Sequence, residues 1–167
     1  MSEYDAITTE QINIYVSLAS DLDKILTKLT KSICSNDCPR AETEGKDSLR
    51  CCGSKFVYKS GINSDEFLER QMAEAFDHGW QGETTDGCQY LIKNKGCSLK
   101  SYKSPLCLGF VCPGIMSIIQ EQYGSKGLEF TENMIEFGVV SDLSTKLEAS
   151  KTLERLETVV KIGYELI

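Results

Sequence analysis

From Tyr15 onward the apolar positions Leu18, Leu22, Ile25, Leu26, Leu29 and Ile33 recur at three- and four-residue steps with polar residues between them. That is the period of an amphipathic helix, and it predicts one over 9–32. Thr8 and Gln11 have the spacing of a capping box, which satisfies backbone donors at a helix start. The apolar stripe stops just short of Cys34, so the helix is expected to deliver the first cysteines to the core.

The pattern then loses its period. Residues 34–63 read as loop, with a charged run from Arg40 to Arg50 and turn signals at Cys38-Pro39, Cys52-Gly53 and Ser60-Gly61. Lys55 to Lys59 could form one short strand. A second helix is predicted to start after Asn63 or Ser64, with Asp65 and Glu66 in a first turn where the helix dipole favours acid. Leu68, Met72, Ala75 and Phe76 are its expected apolar face, and Gly79 its left-handed cap. Between Trp80 and Gly96 no period holds. Pro113 suits the first position of another helix, with Ile115, Ile118, Ile119 and Tyr123 inward and Gly124 closing it. Further helices are expected from Thr131 to Val140 and from Ser144 to Leu166. In the last, Leu147, Leu153, Leu156 and Val160 face inward and Glu157 pairs with Lys161 outside. The expected fold is mainly α: a single helical domain over 1–167 wrapped around an irregular cysteine-rich metal-binding core at 34–112, with C-terminal helices over 113–167.

Composition changes this picture at one point. The chain of 167 residues contains 8 cysteines, all between Cys34 and Cys112. They run Cys34-x3-Cys38, the adjacent pair Cys51 and Cys52, then Cys88-x8-Cys97-x9-Cys107-x4-Cys112. A chain of this length buries about two-thirds of its unfolded surface and needs no crosslinks merely to stay folded. The N-terminus lacks the basic and apolar regions of a secretory leader, and no apolar run approaches membrane-spanning length, so the expected compartment is the cytoplasm. In a reducing compartment clustered thiols point to metal or redox chemistry before structural disulfides. Four thiolates converging on one point select zinc or an iron–sulfur cluster over hard cations. All eight are therefore candidate ligands: Cys34, Cys38, Cys51, Cys52, Cys88, Cys97, Cys107 and Cys112. Cys51 and Cys52 point apart in any regular backbone, which leaves two arrangements: one ligates while the other packs, or each serves a different centre.

Charge favours iron–sulfur. The formal net charge is −7, which argues against a nucleic-acid backbone as partner. Yet Gly87 to Gln120 holds no acid, while Lys93, Lys95, Lys100 and Lys103 lie inside it. A cubane held by four thiolates is anionic, and such a stretch would offset it. Other chemistries lack their residues. His78 is the single histidine and suits a helix C-terminus. No GxSxG, P-loop, GxGxxG or C-x-x-C occurs.

The blocks Cys88-Gln-Tyr-Leu, Gly96-Cys97-Ser-Leu, Ser104-Pro105-Leu106-Cys107 and Phe110-Val-Cys112 resemble the second half of the YkgJ-type cysteine-cluster family, zinc- or iron-chelating domains. Cys34, Cys38, Cys51 and Cys52 would fill its compact first half in expanded form. The likeness spans residues 88–113 and, more loosely, 34–52. Ser104 and Leu108 stand where the family has arginines, so no guanidinium acts at either position. The resemblance implies a chelated metal. Together these readings lead to a cysteine-rich protein holding one or two iron–sulfur clusters, 4Fe-4S in type, for electron transfer or as an accessory subunit. Its expected partner is a protein, either a redox partner or a larger enzyme, with neither nucleic acid nor membrane. A structural zinc domain that binds a protein, and an enzyme using a thiol or a cluster with an open position, are the alternatives.

Overall fold

The computed structural model describes residues 6–36, 57–82, 89–92, 96–110 and 113–167, and these are mainly helical. The capping box forms as its spacing predicts: Gln11 N–H donates to Thr8 Oγ1 at 3.1 Å, and Thr8 N–H donates to Gln11 Oε1 at 3.1 Å. Helix α1 (Thr9–Asn36) runs past the expected end at residue 32 and carries Cys34 inside it. Nothing in Ser32-Ile33-Cys34-Ser35-Asn36 breaks a helix; the first obstacle is Pro39, which disfavours helical backbone at the residue before it.

α1 turns Ile12, Tyr15, Ala19, Leu22, Ile25 and Leu29 into the main core, leaving Leu18 and Leu26 at its edge. The core is completed by α4 (Pro113–Val140) and α5 (Lys146–Leu166). Pro113 opens α4 as expected. Gly124, at φ 59° and ψ −134°, breaks it into arms over 113–123 and 125–140. The sequence reading placed the second arm from Thr131, but the helix resumes directly after Gly124. The arms are tied by Gln120 Nε2, which donates to the buried Thr131 Oγ1 at 2.9 Å. Ile115 and Ile119 from one arm, and Phe130, Met134 and Phe137 from the other, fill the core.

Thr145 caps α5, its Oγ1 accepting from Glu148 N–H at 3.1 Å. Leu156 and Val160 are buried as expected, whereas Leu147 is 65 % exposed. It sits in the first turn of α5, on a side turned away from the core. Buried Thr152 holds the α4–α5 turn by donating to Asp142 O at 2.8 Å and accepting from Asp142 N–H at 2.9 Å. Glu157 and Lys161 are exposed; the ion pairs among the described residues include Lys151 with Glu148 and Lys126 with Glu165, not these two.

Helix α2 (Asp65–Asp77) has the expected ends. Ser64 Oγ accepts from Phe67 N–H at 3.2 Å. Gly79, at φ 93°, closes the helix, with Trp80 N–H on Ala75 O at 2.9 Å and Gly79 N–H on Phe76 O at 3.1 Å, the paired bonds of a Schellman cap. Its face is another matter. Phe67, Gln71 and Ala75 are buried, while Met72 is 43 % and Phe76 53 % exposed. Val57–Lys59 is a 3-10 turn, not a strand. It is held by Gln71 Nε2, which donates to Tyr58 O at 2.8 Å and to Tyr102 O at 2.8 Å. Inward-facing carbonyls that need a donor thus select glutamine over methionine for the buried side.

A second, smaller core of Ala75, Trp80, Tyr90 and Leu99 lies under the short antiparallel strands β1 (Leu91–Ile92) and β2 (Gly96–Cys97). Next comes the short helix α3 (Pro105–Gly109), which lies on the second arm of α4 at a glycine-to-glycine approach. A Cβ on Gly109 would come within 2.5 Å of Gly138 Cα and 2.9 Å of Met134 O. Gly109→Ala is therefore expected to lower stability by about 2 kcal/mol through overpacking. Urea denaturation checks this, with Gly138→Ala expected to act in the same direction.

Candidate metal centre

The segment from Gln89 to Phe110 carries two of the candidate ligands, Cys97 and Cys107, and the surrounding helices hold it from both sides. At its start Trp80 Nε1 donates to Gln89 O at 2.8 Å, and Tyr58 OH donates to Gln89 Oε1 at 3.1 Å. Buried Tyr90 stacks edge-on against both rings, with centroids 4.9 Å from Trp80 and 5.1 Å from Tyr58. This fixes the hairpin, in which Leu91 faces Cys97 and Ile92 faces Gly96. Cys97 is exposed. Its Sγ accepts the N–H of Leu99 at 3.4 Å, from two residues further on. His78 Nδ1 lies 2.8 Å from Ser98 O at the end of α2, consistent with the structural role its position suggested.

Glu74 then enters from α2. Its Oε1 accepts the backbone N–H groups of Lys100 at 2.7 Å, Ser101 at 3.0 Å and Tyr102 at 3.1 Å, with Ser101 also 3.1 Å from Oε2. Three successive amides turned toward one point form an anion-binding concavity, here filled by the protein's own carboxylate. The acid-free stretch thus receives its counter-charge from a distant helix. Lys100 is exposed, and Lys103 is half-buried.

Ser104 and Pro105 begin α3. Ser104 is fully buried, and its Oγ accepts the N–H of Cys107 at 3.2 Å. A small hydroxyl thus caps the turn that presents Cys107. From below, Tyr15 OH donates to Lys103 O at 2.6 Å. Burial, and then the nearby Cys107, push the Tyr15 phenol well above its ordinary value of 10.0.

The structure therefore places Cys97 and Cys107 on two short elements clamped to α1, α2 and α4. Cys34 lies within the last turns of α1. Cys38, Cys51, Cys52, Cys88 and Cys112, like Lys93 and Lys95, fall outside the described residues. Among the described residues no three His, Cys, Asp or Glu side chains converge as a metal site. Glu74 and Tyr15 were not singled out by sequence reasoning as supports of this segment. Ser104-Pro105 did carry a signal, since serine followed by proline is a helix-start signature. No family model, curated protein or solved structure matches this chain.

Two measurements follow from this geometry. Glu74→Ala leaves three amides without their acceptor, and is expected to cost about 2 kcal/mol and to speed hydrogen exchange at residues 100–102 by about tenfold or more. For Tyr15 the neutral phenol is the form the fold stabilises. The contribution is complete below the unfolded value near 10 and is lost as pH rises above it toward the folded one. Tyr15→Phe should flatten the alkaline limb of the stability curve, while costing about 1 kcal/mol at neutral pH from the lost hydrogen bond. Denaturant midpoints between pH 7 and about pH 11 read both effects.

Proposed function

We propose that this chain is a cysteine-rich metal-binding protein that holds one or two iron–sulfur clusters of 4Fe-4S type and serves electron transfer or a larger enzyme as an accessory subunit. The candidate ligands are Cys34, Cys38, Cys51, Cys52, Cys88, Cys97, Cys107 and Cys112. The observation that carries the reading is the Leu99 N–H directed at Cys97 Sγ. Backbone donors aimed at sulfur stabilise thiolate and tune the potential of a cluster bound to it. The chemistry of the donor set agrees, because soft thiols dominate a segment that holds no acid of its own. Rigid support agrees as well: Cys97 sits beside the Tyr90–Trp80 packing and Cys107 on a capped turn over Tyr15. The resemblance to YkgJ-type chelating domains belongs to the same proposal.

A structural zinc site is the second reading. Among the described residues the strands β1 and β2 are two residues long on each side, and a pair that short gains from support beyond the Tyr90–Trp80 packing. A tetrahedral zinc would supply it.

Protein purified without oxygen is expected to absorb near 400 nm and to contain iron with matching acid-labile sulfide. Cys97→Ser and Cys107→Ser should each lower the bound iron while far-ultraviolet circular dichroism keeps its helical signal, because α1, α4 and α5 pack without either sulfur. Zinc in tetrahedral sulfur coordination would transfer the assignment to the second reading. Colourless protein with neither metal after anaerobic handling would overturn both.

A further inference from the structure

The face that α2 turns to solvent is more apolar than a solvated helix requires. Leu68, Met72 and Phe76 follow one another at four-residue steps, so they form a single stripe along the helix. Met72 and Phe76 are each more than two-fifths exposed. With Asp65, Glu69 and Ala73 they line a shallow groove of about 430 Å³. Singly exposed apolar residues are ordinary, but a continuous stripe rimmed by charge marks an interaction surface.

Charge says what covers it. Asp65 and Glu69 run alongside the stripe, and neither side chain has a hydrogen bond or ion pair among the described residues. The other carboxylates of the helix differ: Glu66 pairs with Arg70 at 2.8 Å, and Glu74 holds the amides of residues 100–102. Two unneutralised acids beside three apolar side chains complement a helix with an apolar ridge and lysine or arginine next to it. A second copy of the chain would bring Asp65 and Glu69 against themselves, on a protein of net charge −7.

We infer that the α2 stripe Leu68–Met72–Phe76 is the docking site for a basic amphipathic helix of a partner protein. The surface also reaches inward. The Phe76 ring lies 4.8 Å from that of Trp80, and Trp80 lies 4.9 Å from Tyr90, next to the strand that pairs with Cys97. A helix seated on Phe76 is thus linked by packed rings to the cysteine-bearing hairpin. The inference does not rest on which metal the cysteines hold, or on their holding one.

The test uses the full-length protein and an 18-residue peptide of leucine and lysine, with leucine at helical i, i+3, i+4 and i+7 spacing and no aromatic residue. Trp80 is the only tryptophan and stacks on Phe76, so its emission reports binding. The expected result is saturable binding at one peptide per chain. Met72→Gln should weaken it by about tenfold, and Val139→Gln, on a residue of α4, by no more than about twofold. Glu69→Lys, which alters only an exposed charge, should weaken the leucine–lysine peptide and favour the matching leucine–glutamate one. No saturable binding, equal binding of the two peptides by the parent protein, or binding indifferent to both Met72→Gln and Glu69→Lys would overturn the inference. So would a dimer in sedimentation that Met72→Gln dissociates, which would make the stripe a contact between copies.

Discussion

The amides of Lys100, Ser101 and Tyr102 point at the single carboxylate of Glu74, and this meeting ties the segment between Cys97 and Cys107 to α2. A helix can offer one face inward. By spending its inward positions on Glu74 and on Gln71, which serves Tyr58 and Tyr102, α2 gives up burial of Met72 and Phe76. The exchange is favourable because a buried N–H or C=O without a partner costs about 1–3 kcal/mol. A methionine left in water forfeits a comparable amount of transfer energy, but it can recover that energy by meeting another protein. An irregular loop needs polar support; an exposed side chain does not.

The helical half works by different physics. α1, α4 and α5 bury a continuous apolar core, with polar contacts at the ends, in the Thr8–Gln11 box and the Asp142–Thr152 pair, and across the Gly124 break, where Gln120 meets Thr131. Gln11 also reaches across, donating to Lys146 O at 2.9 Å and Ser150 Oγ at 3.0 Å, so one cap fixes the start of α1 against the start of α5. This body is a platform. Tyr15 from α1 and Gly138 from α4 are two of the points where it touches the segment around Cys107. The glycine contact brings two backbones together more closely than any side chain permits, so α3 sits in one position on α4.

On this platform the proposed chemistry needs little from the fold beyond placement. Thiolates bind soft metals through their own electronic character. Among the described residues the protein contributes braced positions for Cys97 and Cys107 and an N–H toward Cys97 Sγ. The proposed partner surface lies on the opposite side of the same helix that clamps the segment, so α2 joins support of the candidate centre to recognition.

The helix starts were legible because capping is local: Thr8 with Gln11, Ser64 before Asp65, Pro113, and Gly79 and Gly124 as stops all depend on residues a few positions apart. The main core stripe of α1 was legible for the same reason. The clustering of cysteines, and with it the case for soft-ligand chemistry, is likewise a property of the chain alone. The inward face of α2 was not, since burying Gln71 in preference to Met72 depends on carbonyls of Tyr58 and Tyr102 that no nearby residue announces. Nor was the role of Glu74, whose acceptor position is filled from 26 residues away. The sequence by itself determined where α1, α2 and the first arm of α4 begin, where α2 is capped, and which atoms have the chemistry to hold a metal, because those depend on near neighbours and on element identity. Only the tertiary structure decided which side of each helix meets the core and what braces Cys97 and Cys107, because unsatisfied backbone groups find their partners through space.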